Sequence, residues 1–264
     1  MIPEAGATDS LSNDCGVSFS PMLRDASQKI SLSRLRDLLE LERLEHLGQT
    51  LRDLAREVSK AREEDYLLLD YRNEKGVNCL ILAKASTIVN VECLGVEKNA
   101  DKYVELLAHA CIEGRGELRV YRVKPIFIEW LKKYEVGIPV LDKAHEKMFT
   151  EFQKVFTAIL DGRVDQVPGL IKAAYESILE HFRVEEQLMT KYNYPRAKRR
   201  EHEESHAEFE NIVKRLVQTV DEGRFVDLYI QQYQFLLTYL DYMLREDKEF
   251  TSFLLEKCGV YCTV

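Results

Sequence analysis

No apolar run in this 264-residue chain approaches the length of a membrane span, so no membrane partner is expected. An extended basic stretch is also missing. The formal net charge is −8 and the pI is near 5.4. Lys198-Arg199-Arg200 is a short run that reads as the solvated start of a helix, and nucleic acid is not expected as a partner. The N-terminus lacks a basic segment followed by an apolar one, so no secretory leader is expected. The cysteines, at 15, 79, 93, 111, 258 and 262, show neither zinc spacing nor a dense disulfide framework. They predict a reducing, cytoplasmic setting, with Cys79, Cys93 and Cys111 as buried free thiols. Cys258 and Cys262 read as ordinary cysteines of an exposed tail, or else as a thiol pair passing electrons. There is no phosphate-cradling glycine loop, and Gly114-Arg115-Gly116 alone does not make one.

What is present suffices for two domains. Hydrophobic residues make up 45% of the chain, enough for packed cores. Residues 1–27 show little periodicity and predict a mobile tail. Ser31 can cap a long helix running to about Ala61. Leu44, Leu51 and Val58, with Leu47, Leu54 and Ala61, form a short heptad seam. Its simpler use is packing on the chain's own sheet, because the register breaks at Asp37 and Glu40; a homodimer through this helix is the alternative. Strand patterns follow at Tyr66–Tyr71, Val77–Leu82 and Ile88–Val96, with a turn at Asn73-Glu74-Lys75-Gly76. A helix over Asp101–Ile112 and a strand over Glu117–Val123 complete a small α/β domain, residues 28–124, with an antiparallel-rich sheet. His46 and His109 stand isolated among helical residues and read as ordinary histidines.

Lys124-Pro125 marks the domain junction. Four segments of helical period follow, at about Val140–Leu160, Pro168–Tyr192, Arg196–Val220 and Val226–Glu256. Short breaks join them, so the expected fold is an α+β two-domain chain ending in an up-down-up-down four-helix bundle at 126–257, with a tail at 258–264.

The bundle segments carry the chemistry. His181 and Glu185 are one helical turn apart, as are His202 and His206. In both pairs the shared face is apolar: Ile171, Ala174, Ile178 and Phe182 flank the first pair, and Phe209, Val213 and Leu216 continue the second. His145 lies on a stripe with Phe149, Phe152 and Phe156, and Asp247 on one with Tyr239, Tyr242, Met243 and Phe250. One such histidine alone would read as a satisfied core residue. Four of six histidines converging with two carboxylates point to metal, since buried charge is costly unless paired or bound to an ion. Imidazole with carboxylate suits iron, zinc or manganese, and two carboxylates on separate helices can bridge a dinuclear site.

Trp130, Tyr134-Glu135-Val136-Gly137-Ile138-Pro139 and Asp142-Lys143-Ala144-His145 resemble the entry segment of bacterial hemerythrins. His181-Phe182, Glu185-Glu186, Met189, Tyr194-Pro195, His202, His206, Phe209 and Asp247 continue that pattern in order. The resemblance covers residues 126–255. It implies a non-haem centre of two iron ions, bridged by carboxylates and by an oxo or hydroxo group. Glu185 and Asp247 would bridge, with His145 and His181 on one iron and His202 and His206 on the other. Two departures stand out. The family's fifth histidine, five residues before the bridging aspartate, is replaced by Tyr242, and the gap before His202 is about two residues longer than usual. Tyr242 could supply a phenolate to that iron. The alternatives are water, Glu246, or a Tyr242 that only packs.

Three functions compete on this reading. The first is a sensor of oxygen, peroxide, nitric oxide or iron that signals through the N-terminal domain. The second is an enzyme reducing a small oxidant, although the sequence offers no dedicated acid/base pair. The third is an oxygen carrier or store, against which Tyr242 counts, because an anionic ligand favours ferric iron.

Overall fold

The computed structural model describes residues 18–20, 23–44, 62–63, 65–85, 87–113, 116–124, 128 and 130–261. Two compact units emerge: Met1–Ile126 with Ala158–Val164, and Phe127–Thr157 with Asp165–Val264.

The first unit is a sheet with helices. Its strands are β1 (Ser18–Phe19), β2 (Glu40–Arg43), β3 (Tyr66–Asn73), β4 (Asn78–Lys84), β5 (Thr87–Cys93) and β6 (Gly116–Lys124). Their spatial order is β1-β5-β4-β3-β6-β2. β1 pairs parallel to β5, and the other neighbours pair antiparallel. The helices are α1 (Leu23–Lys29), α2 (Leu32–Arg36) and α3 (Ala100–Glu113). The expected β3–β4 turn forms, with Val77 N–H donating to Asn73 Oδ1 at 2.9 Å. Alternation sorts the sheet's two faces. Leu67, Leu69 and Tyr71 of β3 join Ile81, Val91 and Val120 in one core with Tyr103, Val104 and Leu107 of α3. Asn90 and Glu92 of β5 instead hold α1 and α2. Ser27 Oγ donates to Asn90 Oδ1, Asn90 Nδ2 donates to Ile30 O, and Ser33 N–H donates to Glu92 at 2.7 Å.

Three expectations change here. The long helix from Ser31 stops at Arg36, and β2 occupies Glu40–Arg43; residues 45–61, with most of the heptad seam and His46, lie outside the described residues. Ser31 does stand at the helix start, but its hydroxyl makes no cap, and the β5 carboxylate of Glu92 accepts from the first turn instead. Part of the expected tail is structured as β1 and α1, where Leu23 and Ala26 are buried.

The cysteines also differ. Cys79 and Cys93 sit opposite each other on β4 and β5 and form a disulfide, and Cys258 is disulfide-bonded as well. Free buried thiols were expected because no spacing linked these residues; cross-strand pairing, invisible in the linear chain, brings the first pair together. The side chains of Cys15, Cys111, Cys262 and His109 lie outside the described residues.

Residues Ala158–Val164 count with this first unit. Asp161 accepts hydrogen bonds from the Tyr66 hydroxyl, from Lys84 Nζ at 2.9 Å and from Arg163 Nη2 at 2.9 Å. Gly162 has φ +71°, and a Cβ there would sit 2.7 Å from Ala26 Cβ and 3.0 Å from Val89 O. Only glycine satisfies both the backbone angle and that close approach.

The second unit is the bundle. Its helices are α4 (Pro139–Leu160), α5 (Val167–Lys191), α6 (Arg196–Asp221), α7 (Phe225–Tyr242) and α8 (Lys248–Cys258). The last two form one arm, joined by a π-helical turn at Met243–Asp247. Pro168 lies in the first turn of α5, where its missing N–H has no intrahelical partner to lose. Phe149, Phe152, Phe156, Leu188, Val213, Leu236 and Phe250 are buried between the helices. Among the described residues, no helix is long and apolar enough to cross a membrane.

Candidate metal centre

Each expected ligand arrives at the centre by helical periodicity. His145 projects from α4, His181 and Glu185 from successive turns of α5, and His202 and His206 from successive turns of α6. Asp247 is the exception. It follows Tyr242 by five residues, a spacing that an α-helix would send to different faces. The π turn spanning Met243–Asp247, with its i to i+5 hydrogen bonds, brings those two positions onto one face. Upstream, Asp142 fixes the entry to α4, accepting from Val136 N–H at 2.6 Å and Gly137 N–H at 3.2 Å.

All six side chains are buried. Nitrogen and oxygen atoms of His145, His181, Glu185 and Asp247 lie within 4.8 Å of one another, as do those of Glu185, His202 and His206. Glu185 is common to both groups. Its Oε2 lies 3.3 Å from His181 Nε2, 3.2 Å from His202 Nε2 and 3.0 Å from His206 Nε2. Asp247 likewise reaches both histidine pairs: Oδ2 is 3.2 Å from His145 Nε2, and Oδ1 is 3.5 Å from His202 Nε2.

These separations fit a bound metal. Two ligand atoms each about 2.1 Å from one ion and at right angles to each other lie about 3 Å apart. The hydrogen-bond inventory agrees. His145 Nδ1, both ring nitrogens of His181, Glu185 Oε1 and Asp247 Oδ1 are buried with no hydrogen-bond partner among the described residues. So many orphaned polar atoms at one place would be costly in a core, and ligation would satisfy Glu185 Oε1, Asp247 Oδ1 and one ring nitrogen of His181.

The electrostatics separate the two carboxylates. Burial acts to raise Glu185, but the His181 imidazole and hydrogen bonds from His202 and His206 hold it well below the usual carboxylate range. Asp247 is pushed up to about 7 by burial and by the charge of Glu185. Burial pushes His145 down to about 4 and also lowers His181. Burial acts downward on His206 too, but its hydrogen bonds to Glu185 and Glu186 raise it to about 9. The metal-free centre therefore holds an ionised Glu185 against a cationic His206.

Tyr242 is buried at the edge of this cluster, its ring 5.5 Å from that of His202. Its hydroxyl makes no well-formed hydrogen bond among the described residues, Ser205 being a weak partner at most. Burial and the charges of Asp247 and Glu185 keep it protonated. Glu246, the alternative ligand, turns outward and pairs with Arg245 at 3.2 Å.

The sequence pattern includes several further neighbours but not what they touch. Glu186 Oε1 is 3.3 Å from His206 Nδ1 and orients that ring. Phe182 stacks on His206 at 3.9 Å. Trp130 lies 5.6 Å from His145 and covers its side of the cluster. Tyr239 packs edge-on against His145 and His181. Each depends on how neighbouring helices face one another, which periodicity along one helix does not specify.

Comparison with curated proteins gives no match. Residues 136–254, which include all six clustered side chains, match the family model described as the Hemerythrin HHE cation binding domain, and this part of the chain is a hemerythrin HHE domain.

Proposed function

We propose that the bundle holds two non-haem irons, senses oxygen or a related small oxidant such as peroxide or nitric oxide, and signals through the N-terminal unit. The buried cluster of four imidazoles and two carboxylates, with its orphaned polar atoms, carries this reading. His145 and His181 would hold one iron and His202 and His206 the other, with Glu185 and Asp247 bridging. Bound iron supplies one-electron chemistry and a coordination position for a small ligand. The chain supplies the rest. Glu186 fixes the His206 ring, and Phe182, Phe209 and Trp130 shield the site from water.

Tyr242 is proposed as the ligand in place of the missing histidine. A phenolate adds a negative charge and stabilises ferric iron, which weighs against reversible oxygen carriage. Signalling is supported by connectivity: α4 carries His145 at one end, and its last turn and the Asp161-Gly162-Arg163 segment count with the first unit. An oxidant-reducing enzyme is the second reading, favoured by the two buried tyrosines Tyr239 and Tyr242 beside the cluster. Sustained peroxide consumption with an added reductant would select it.

The test is anaerobic iron analysis of the full chain with optical spectra before and after oxidation. Two irons per chain are expected, with loss of both in Glu185→Ala. Loading should quench the fluorescence of Trp130, the single tryptophan. A visible phenolate-to-iron band is expected in the oxidised protein and should vanish in Tyr242→Phe. Identical spectra in the two proteins would rule out Tyr242 ligation. Unchanged hydrogen exchange across residues 66–124 between reduced and oxidised forms would overturn the signalling role. The cytoplasmic placement is tested by cell fractionation, where the chain should follow cytoplasmic markers; recovery with an oxidising compartment, which the Cys79–Cys93 disulfide would suit, overturns it.

A further inference from the structure

Tyr239 is fully buried on α7, and its hydroxyl has no hydrogen-bond partner among the described residues. A buried phenol normally finds an acceptor, and leaving one unpaired is unfavourable. Its surroundings explain the lack of one. Phe182, Phe209 and Phe235 lie around the ring at centroid distances of 6.4, 5.1 and 6.0 Å, and none can accept. The polar neighbours belong to the metal cluster. The ring lies 6.5 Å from His145 and 6.3 Å from His181, edge-on to both. Tyr242, 6.1 Å away, stands beside His202 on the other half of the cluster. The two tyrosines thus flank different halves of one centre. Tyr239 also lies eight residues before Asp247, on the same inward-facing arm, and nothing in the ligand set assigns it a role.

We propose that Tyr239 is the hydrogen-bond donor to the small exogenous ligand taken up at this centre. The ligand class it selects has a terminal acceptor atom: azide among simple anions, and peroxide among oxidants. This inference rests on the reading that the bundle binds iron. The buried hydroxyl is a neutral donor; an acidic group in its place would repel an anion, and an apolar one would leave the ligand's outer atom unsatisfied in a dry pocket. The orphaned hydroxyl and the ligand's outer atom then satisfy each other.

The test is azide titration of the oxidised, iron-loaded full chain, comparing wild type with Tyr239→Phe, which conserves ring volume. Iron content and the spectrum without azide should be unchanged in the variant, whereas azide should bind about tenfold or more weakly. The azide stretching band of the wild type should shift in D₂O, and that sensitivity should disappear in the variant. If Tyr239→Phe fails to fold, the wild-type D₂O shift decides alone, and a band insensitive to D₂O overturns the proposal. Equal azide affinity in both proteins, or an iron-loaded wild type that takes up no azide, overturns the role of Tyr239 and leaves the iron reading standing. A wild type without iron overturns both.

Discussion

The two units bury polar groups in opposite ways. In the sheet unit they are mostly paired: Ser27 with Asn90, Ser33 with Glu92, Arg72 with Asp70, and Asp161 with three donors. Its atoms without a well-formed hydrogen bond among the described residues, the hydroxyls of Tyr71 and Tyr103 and Asn78 Oδ1, are neutral, and no metal-binding group forms around them there. In the bundle, the amide of Gln232 apart, the atoms without a partner among the described residues belong to histidines and carboxylates gathered at one point and to the two tyrosines beside them. A single orphaned atom marks a local imperfection of packing. A convergent set of ionisable ones marks a ligand that the chain was built to hold.

The strongest way to break this contrast is to remove the metal. Chelation should leave the sheet unit unchanged and lower the bundle's melting temperature by roughly 15 °C, the effect of losing a ligand present far above its dissociation constant. Differential scanning calorimetry with and without iron measures it. Equal melting would mean that the orphaned atoms are tolerated without an ion.

Titration should sharpen the contrast. The folded-state pKa of His206, raised to about 9, lies above the ordinary imidazole value. Its contribution is therefore full below about pH 6.5 and is lost as pH rises to 9. The iron-free bundle should be less stable at pH 9 than at pH 6.5 by about 3 kcal/mol, and His206→Gln should flatten that slope in urea titrations. Below pH 6.5 the lowered His145, His181 and Glu185 cost stability as pH falls, and the raised Asp247 offsets only part of that, so the iron-free bundle should also weaken toward acid. Iron must displace the His206 proton, so loading at pH 7.5 should release protons measurable with an indicator dye.

The smallest effect concerns the sheet unit. Gly162→Ala should destabilise it by about 2 kcal/mol, from the positive φ together with the contacts at Ala26 and Val89. Gly223 has φ +69° but open space around it, so Gly223→Ala should cost only about 1 kcal/mol. Iron content should not change in either variant. Equal losses would show that backbone strain alone, rather than close packing, demands glycine at 162.

Much of the bundle was legible in the chain. The i, i+4 spacing of His181 with Glu185 and of His202 with His206, on apolar stripes, sends those side chains inward whatever the neighbouring helices do. Helix boundaries fell within a residue or two of those expected because Pro168, Pro195, Gly162 and Gly223 punctuate them. Strands β3 to β6 were legible for a similar reason, since alternation of apolar residues is a property of each segment alone; β1 and β2, short edge strands in an expected tail and an expected helix, were not. The continuous helix expected from Val226 was not, because a π turn is one extra residue per turn and leaves no compositional mark.

The amino-acid sequence by itself determined strands β3 to β6, α3 and the bundle helices, and which bundle residues turn inward, because period and punctuation are local. Tertiary structure alone decided what those residues meet. Glu92 caps a helix 59 residues away, Cys79 bonds Cys93 across two strands, Glu186 reaches His206 on the next helix, and the Tyr239 hydroxyl ends among phenylalanines and imidazoles with no partner among the described residues. Each of these depends on strand register or on the rotation of one helix against another. Those quantities are settled only when distant faces pack, since burial rewards the whole arrangement and no single segment carries it.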